Sequence, residues 1–307
     1  MFWFIIANPA AGNGTVKQIW PQLEHQLQEA GISYSIQFSQ YPGHATQLAQ
    51  NALLKGHRYL LGLGGDGTHH EIANGILSQQ EIPPQEILYA PFPVGTGNDW
   101  ARQYQIPHEP ISRIKNLLNP FIIRQDVGKV NYLDPKGSPS SRWFINVAGL
   151  AYDGFIAKKL EENGKSNSQL VYLLAIAKYL FQYNLSEAII RFDPNNSVKD
   201  YFYTINIGIC KYSGGGMQLV PHAIPNDGLL ALTFASKMPK WEVLLQTARF
   251  YNGKLLSHPK VTGVQTKNIE IAPTDPSTHL WLEADGEFLG TAPATFQIVP
   301  SLLSIVT

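Results

Sequence analysis

Four glycines and an aspartate fall within six residues at Gly62-Leu63-Gly64-Gly65-Asp66-Gly67, followed by Thr68, His69, His70 and Glu71. Glycines at the end of a strand let the backbone approach a phosphate chain closely, and the following helix turns its N-terminus toward the negative charge. Gly62, Gly64 and Gly67 also satisfy the spacing of a dinucleotide fingerprint, with Glu86 about 20 residues further on. Two features reject that match. Asp66 inside the loop would repel a bare pyrophosphate, and the fingerprint belongs to a first strand, whereas this is the third. A carboxylate among phosphate-binding glycines makes electrostatic sense with a divalent cation between them, so the loop predicts a nucleoside triphosphate with magnesium.

A second run, Pro93-Val94-Gly95-Thr96-Gly97-Asn98-Asp99-Trp100, follows the next apolar stretch in the same way. The two loops are predicted side by side on the carboxyl edge of a parallel sheet, where open α/β folds bind ligands. Thr96 and the amides of Gly95 and Gly97 can hold phosphate oxygens. Asn98 or Asp99 can cap the helix that follows, the commonest use of Asp at such a position, and Asp99 can equally serve as a functional acid. Asn8-Pro9-Ala10-Ala11-Gly12-Asn13-Gly14 ends the first apolar stretch and could add amides, although any strand exit has that composition. The chain contains no Gly-x-x-x-x-Gly-Lys-Ser/Thr, which excludes a P-loop enzyme.

The elements that position these loops follow from hydrophobic period. Strands are predicted at 2–7, 33–38, 58–63 and 87–92, and helices at 21–30, 45–55 and 68–77, the first two closed by Gly31 and Gly56. That alternation is the pattern of β-α units around a parallel sheet. After residue 123 the texture changes to short strands at 127–133, 143–147, 188–192, 201–209, 229–234 and 269–272, separated by polar turns. Residues 1–123 are expected to form the nucleotide-binding α/β domain and 124–297 a β-rich domain, with 298–307 returning to the first.

The 307 residues allow two ordinary domains. Lys plus Arg and Asp plus Glu both number 23, and the zero net charge argues against a nucleic-acid partner that needs a basic field. A single cysteine, Cys210, excludes an internal disulfide framework and fits a reduced, cytoplasmic protein. The apolar start Phe2-Trp3-Phe4-Ile5-Ile6 lacks a basic region before it and reads as a strand. The apolar stretch 170–181 is well short of the ~20 residues a membrane span requires.

The three loops, in this order, resemble the diacylglycerol kinase catalytic-domain family, which includes bacterial soluble lipid kinases and the sphingosine kinases. The resemblance rests on Gly64-Gly65-Asp66-Gly67-Thr68 with Glu71, and on Pro93, Gly95, Thr96, Asn98 and Asp99. It implies an NAD kinase-like first domain, a mostly antiparallel β-sandwich second domain with ATP in the cleft, and transfer of the γ-phosphoryl group of MgATP to a lipid hydroxyl, diacylglycerol or a related lipid. Position by position, it implies ATP contacts at Asn8, Pro9, Ala10, Ala11, Gly12, Ser39, Gly64, Gly65, Asp66, Gly67, Thr68, His69, His70 and Thr96, with Asn98 and Asp99 in the second loop. Asp66, Asp99 and Asp126 match the acids around the catalytic magnesium and its waters.

Glu287, in Leu282-Glu283-Ala284-Asp285-Gly286-Glu287, matches the catalytic base, although Asp-Gly is also a common two-residue turn. Asp227 with the carbonyls of Ile224 and Leu229 matches a structural magnesium site, and equally a turn Asp before Gly. His69 and His70 depart from the family pattern before the Glu, and adjacent helical positions project about 100° apart, so the two are not expected to share a metal. Arg102 and Lys178 match basic positions near substrate or phosphate.

A lipid substrate implies transient presentation at the inner face of a membrane. Residues 152–184, with Lys158, Lys159, Lys165, Tyr172, Tyr179, Phe181 and Tyr183 beside the apolar stretch, suit an interfacial helix, although core packing is the commoner fate of such a stripe. An exposed strand edge in the second domain could pair with a second copy of the chain. Two other functions fit less of the pattern: a soluble-metabolite kinase of the NAD kinase type, and an inactive nucleotide-binding regulatory protein.

Overall fold

A computed structural model describes residues 1–163, 169–193 and 196–307, with the side chains of 169–173 and 175 left aside. The chain divides into two compact units, Met1–Val127 with Ser301–Thr307, and Gly128–Pro300. The divisions fall inside strands β5 (Ile122–Leu133) and β16 (Glu287–Val306), so the chain leaves and re-enters the first unit without a linker.

The first unit is a parallel α/β sheet. Strands β1 (Phe2–Ala7), β2 (Ser33–Phe38), β3 (Tyr59–Gly64) and β4 (Leu88–Pro93) alternate with helices α1 (Ala11–Glu29), α2 (His44–Leu54) and α3 (Asp66–Ser78). The spatial order is β4-β3-β1-β2, and Ser304 and Ile305 of β16 pair in parallel with Leu88 and Tyr89 outside β4. Every side chain of β4 is buried, as is all of β3 after Tyr59, which is why both read as unbroken apolar runs. Trp3, Ile5, Leu61, Leu63 and Phe92 meet Val16, Leu23 and Leu27 of α1 in one core, each such burial being worth ~1.5–3 kcal/mol. Two short helices, α4 (Asp99–Gln103) and α5 (Pro110–Leu118), complete the unit, and Arg113 ties α5 to the chain end by donating from Nη2 to the Val306 carbonyl at 2.7 Å.

Helix α1 begins ten residues before the expected start at Pro21. Gly12, Asn13 and Gly14 are all left-handed, with φ of 58°, 60° and 83°, and the regular helix runs from there through Pro21. A proline forfeits one hydrogen bond in mid-helix. The buried stripe Val16, Leu23 and Leu27 keeps the helix intact across it.

The second unit is an antiparallel β-sandwich with inserted helices. After β5 come β6 (Pro139–Phe144), β7 (Val147–Ala151), α6 (Tyr152–Asn163), α7 (Gln169–Gln182), β8 (Ser186–Phe192), β9 (Ser197–Gly208), β10 (Tyr212–Ser213), β11 (Met217–Gln218) and β12 (Leu230–Ser236). Helices α8 (Lys240–Leu245) and α9 (Thr247–Tyr251) precede β13 (Val261–Thr266), β14 (Asn268–Pro273), β15 (Trp281–Ala284) and β16. One path runs β13-β12-β9-β7-β15-β16, and β8 and β14 pair with each other and with β9 and β16 respectively. The single strand expected at 143–147 is two strands. The break occurs where Ile145, Asn146 and Val147 donate their amides to the Asp285 carboxylate at 2.9–3.2 Å instead of to a neighbouring strand. Among the described residues no helix is long and apolar enough to cross a membrane.

Candidate functional site

Parallel register brings the loops together at one edge of the first unit. Ala7 is level with Phe38 and with Leu63, and Gly64 is level with Pro93, so the chain leaves four adjacent strands at Asn8, Ser39, Gly65 and Val94. Backbone bonds hold the exits in line: Asn8 N to Leu63 O at 2.9 Å, Ser39 N to Ala7 O at 2.8 Å, and Val94 N to Gly64 O at 2.7 Å. Asn8 Nδ2 donates to Thr68 Oγ1 at 3.2 Å and its Oδ1 accepts the Ala10 amide at 3.0 Å, which ties the first loop to α3.

The two glycine loops touch through their backbones. A Cβ on Gly95 would stand 2.9 Å from Gly65 Cα and 2.8 Å from Asn98 Oδ1, so only glycine permits this approach. Gly12 joins the same edge, where a Cβ would meet Val94 at 3.3 Å. Thr96 is exposed at the tip of the second loop. Asn98 is left-handed at φ 50°, its Nδ2 donates to Gly95 O at 2.8 Å, and its Oδ1 is buried without a hydrogen-bond partner.

Asp66 begins α3 and reaches α4. Its Oδ2 accepts the Asp99 amide and its Oδ1 the Trp100 amide, both at 3.1 Å. Asp66, 33 residues before Asp99, therefore caps the start of α4 through its side chain, and Asn98 makes no side-chain cap. The Asp66 and Asp99 carboxylates both flank Gly97, whose Cβ would lie 3.2 Å from Asp66 Oδ2 and 3.4 Å from Asp99 Oδ2. Arg102 Nε lies 3.7 Å from Asp99 Oδ1, and Arg102 Nη2 donates to the Gly97 carbonyl at 3.3 Å. Glycine backbone beside two carboxylates fits a phosphate chain with a magnesium ion between it and the acids, and the unpartnered Asn98 Oδ1 is an acceptor that suits the cation or its waters. Magnesium binds proteins through one or two carboxylates and keeps phosphate oxygens and waters as its other ligands. Among the described residues no group of three or more His, Cys, Asp or Glu is gathered as a metal site. Asp126 is buried, and its Oδ1 accepts the Ser301 amide at 2.7 Å.

His69 and His70 turn their rings away from the loop edge into the protein. His69 Nδ1 lies 2.6 Å from Tyr89 Oη, and its Nε2 is buried without a partner. Burial, with the Arg113 charge adding to it, pushes the His69 pKa down to about 3, so the ring is neutral. His70 is buried with Nε2 3.3 Å from Asn74 Nδ2. Any contact from either histidine to a nucleotide would come from the backbone, and the His69 amide already donates to Gly65 O at 3.1 Å.

Several residues hold the site through partners that their place in the sequence does not reveal. Glu71 accepts the Gly43 amide at 2.8 Å and the Ala45 amide at 3.0 Å, anchoring the start of α2 to α3. Gln125 Oε1 accepts from Trp100 Nε1 at 2.8 Å and from Tyr104 Oη at 2.6 Å, fixing α4 beside the start of β5. Trp100 is buried and stacks on Tyr89, so the second loop rests on an aromatic floor. Only the apolar Trp after Asn-Asp hinted at this in the sequence.

Within the second unit, Asp285 and Gly286 have φ of 51° and 83° and form the two-residue turn between β15 and β16. Glu287 is the first residue of β16, half-buried, and pairs across the hairpin with Ala284. Glu283 is buried on the same hairpin and its Oε2 accepts the Gly286 amide at 2.8 Å. Around Gly149 lie Asp153, Glu283 and Asn206: a Cβ there would be 2.7 Å from Asp153 Cβ and Glu283 Oε1 and 3.2 Å from Asn206 Oδ1. Thr204 donates to Asp153, and burial pushes the Asp153 pKa up to about 6. The sequence reading did not single out this polar group. Asp227 Oδ1 accepts the Leu229 amide at 3.0 Å and Oδ2 accepts from Gln265 Nε2 at 2.9 Å, the bonding of a turn aspartate, while Ile224 is exposed.

Two family models match the chain: the diacylglycerol kinase catalytic domain over residues 3–130, and the YegS C-terminal NAD kinase beta sandwich-like domain over residues 146–307. A diacylglycerol kinase of Staphylococcus epidermidis is 28% identical, with 99% of this chain and 91% of that protein covered. Among solved structures, a diacylglycerol kinase from Bacillus anthracis superposes with a TM-score of 0.73 at 20% identity over 99% of this chain and 96% of that one. Yeast NADH kinase complexed with NADH gives 0.53 at 12% identity, covering 100% and 83%. The last two likenesses concern the fold.

Proposed function

Because the chain belongs to the diacylglycerol kinase catalytic-domain family, we propose that it is an ATP-dependent lipid kinase, with diacylglycerol as the first acceptor to test. The observation that carries this reading is the backbone contact of the Gly65 and Gly95 loops with the Asp66 and Asp99 carboxylates flanking Gly97. Phosphoryl transfer depends chiefly on positioning and charge stabilisation, and a glycine cradle beside two acids supplies both. Asn8 to Gly12, Ser39, Gly64 to Thr68 and Thr96 would bind the nucleotide. Asp66 and Asp99 would hold magnesium, and Asp126 would act on its waters. Bound there, magnesium would neutralise charge on the phosphates.

In the proposed reaction the acceptor oxygen forms a bond to the γ-phosphorus as the bond to the β,γ-bridging oxygen breaks and ADP leaves. Glu287 takes the hydroxyl proton, a role worth about 10²–10⁴ in rate. Incubation with γ-labelled ATP and a panel of diacylglycerol, sphingoid base, phosphatidylglycerol and NAD tests the reading. Label in one of the lipids supports it, and label in NAD alone or in none of the four overturns it.

A further inference from the structure

Large apolar side chains stand in water on two adjoining helices of the second unit. Leu174 and Phe181 of α7 are each 62% exposed, and they lie two turns apart on one face with the exposed Lys178 between them. Trp241 and Leu245 of α8 are 63% and 70% exposed, and Leu244 beside them is also exposed. No residue of α8 is buried. The two helices are fastened end to end: Lys240 Nζ, at the start of α8, donates to the carbonyls of Phe181 and Tyr183 at the end of α7, at 2.9 and 3.0 Å. The inward sides are accounted for, since Ile176 of α7 and Phe250 of α9 pack on the cluster around Val147 and Val220. The outward side is an apolar ridge with no core to serve.

Charge distinguishes this ridge from the rest of the molecule. The chain as a whole has no net charge, but residues 237–260 carry Lys237, Lys240, Arg249, Lys254 and Lys260 against one acid, Glu242, a local excess of four positive charges. Glu242 is itself engaged with His258 at 3.1 Å and Lys260 at 3.9 Å. By contrast, Lys158 and Lys159 of α6 are paired with Glu162, and Lys158 also lies over the Trp281 ring at 3.5 Å. Lys165 and the Tyr172 side chain lie outside the described residues. Exposed apolar side chains that include a Trp, on a helix within a segment of net positive charge, are the composition of a helix lying in the interface of an anionic bilayer.

We infer that the α7–α8 ridge, with the basic segment 237–260, is the surface by which this protein docks on an anionic lipid bilayer. The inference takes its purpose from the lipid-kinase reading, but its test needs neither ATP nor an acceptor lipid. The protein is sedimented with vesicles of phosphatidylcholine containing about a third phosphatidylglycerol, and with phosphatidylcholine alone. Wild type is expected to pellet with the mixed vesicles and far less with the neutral ones. The double substitution Trp241→Ser, Leu245→Ser should lower the partition coefficient about tenfold or more. Lys237→Glu with Lys254→Glu should lower it about tenfold on the mixed vesicles and leave the neutral ones unchanged. The inference is overturned if wild type fails to pellet with mixed vesicles at low salt, or if both double variants, folded by circular dichroism, bind as wild type does. It is overturned equally if Trp241→Ser, Leu245→Ser turns a dimer into a monomer in sedimentation velocity without altering vesicle binding, since the ridge would then cover a second copy of the chain. A catalytically inactive protein that still docks would contradict the kinase reading alone.

Discussion

Asp66 accepts the amides of Asp99 and Trp100, so the residue proposed to hold the cation also starts helix α4. Asp66→Asn keeps an acceptor oxygen and nearly the same volume, and its effect on stability should stay within the ~0.5–2 kcal/mol of a lost helix cap. MgATP binding by titration calorimetry should weaken at least about tenfold, because the charge that opposes the cation is gone. Unchanged affinity would remove Asp66 from the metal. Glu287→Gln should lower kcat by about 10²–10⁴ while leaving the KM for ATP and the melting temperature in place. A matching loss of ATP affinity would instead make Glu287 part of the nucleotide site.

Two buried groups should leave opposite marks on stability. The His69 pKa is depressed to about 3 from 6.5, so the unfolded chain takes up a proton that the folded one refuses, and stability is lost as pH falls below about 6.5. Asp153 is raised to about 6 from 3.8, so its folded form holds the extra proton, and stability is lost as pH rises from about 4 to 6. In thermal melts across that range, His69→Gln should gain on wild type toward the acid end and Asp153→Asn toward the neutral end. Parallel curves for all three proteins would show that neither group titrates between its two states.

At the scale of elements, the two glycine loops must approach within backbone contact. Gly95→Ala would drive a methyl group to within 2.9 Å of Gly65 Cα, which should cost ~1–3 kcal/mol and weaken ATP binding together with stability. A substituted protein of wild-type stability and affinity would mean that the loops are free to separate. The strands of the first unit were legible because burial follows a fixed period: β1 and β2 lie where the apolar runs place them, and β3 and β4 are shifted by one residue. The start of α1 was not, since Pro21 reads locally as a first helical residue, and only the stripe packed under the sheet shows the helix continuing upstream. The split between β6 and β7 was also hidden. It depends on Asp285, about 140 residues away, taking the amides that would otherwise have joined the strands. In the site the glycines were legible because their chemistry is local. Glu71, Gln125 and the floor under Trp100 act through partners that no spacing encodes.

For the molecule as a whole, zero net charge removes any long-range pull toward an anionic surface. Attraction would have to come from the 237–260 segment, whose effect extends about a Debye length, so docking should weaken steeply as salt is raised. The single chain carries two glycine loops in backbone contact in one unit and a half-buried glutamate in the other. We propose that these serve one transfer from ATP to a lipid hydroxyl. The most direct test is the balance of products when wild type is given MgATP and diacylglycerol in detergent micelles. One lipid phosphate monoester, identified by mass spectrometry, is expected for each ADP released, and almost none of either with Glu287→Gln. ADP without phosphorylated lipid, or equal product from the substituted protein, would contradict it.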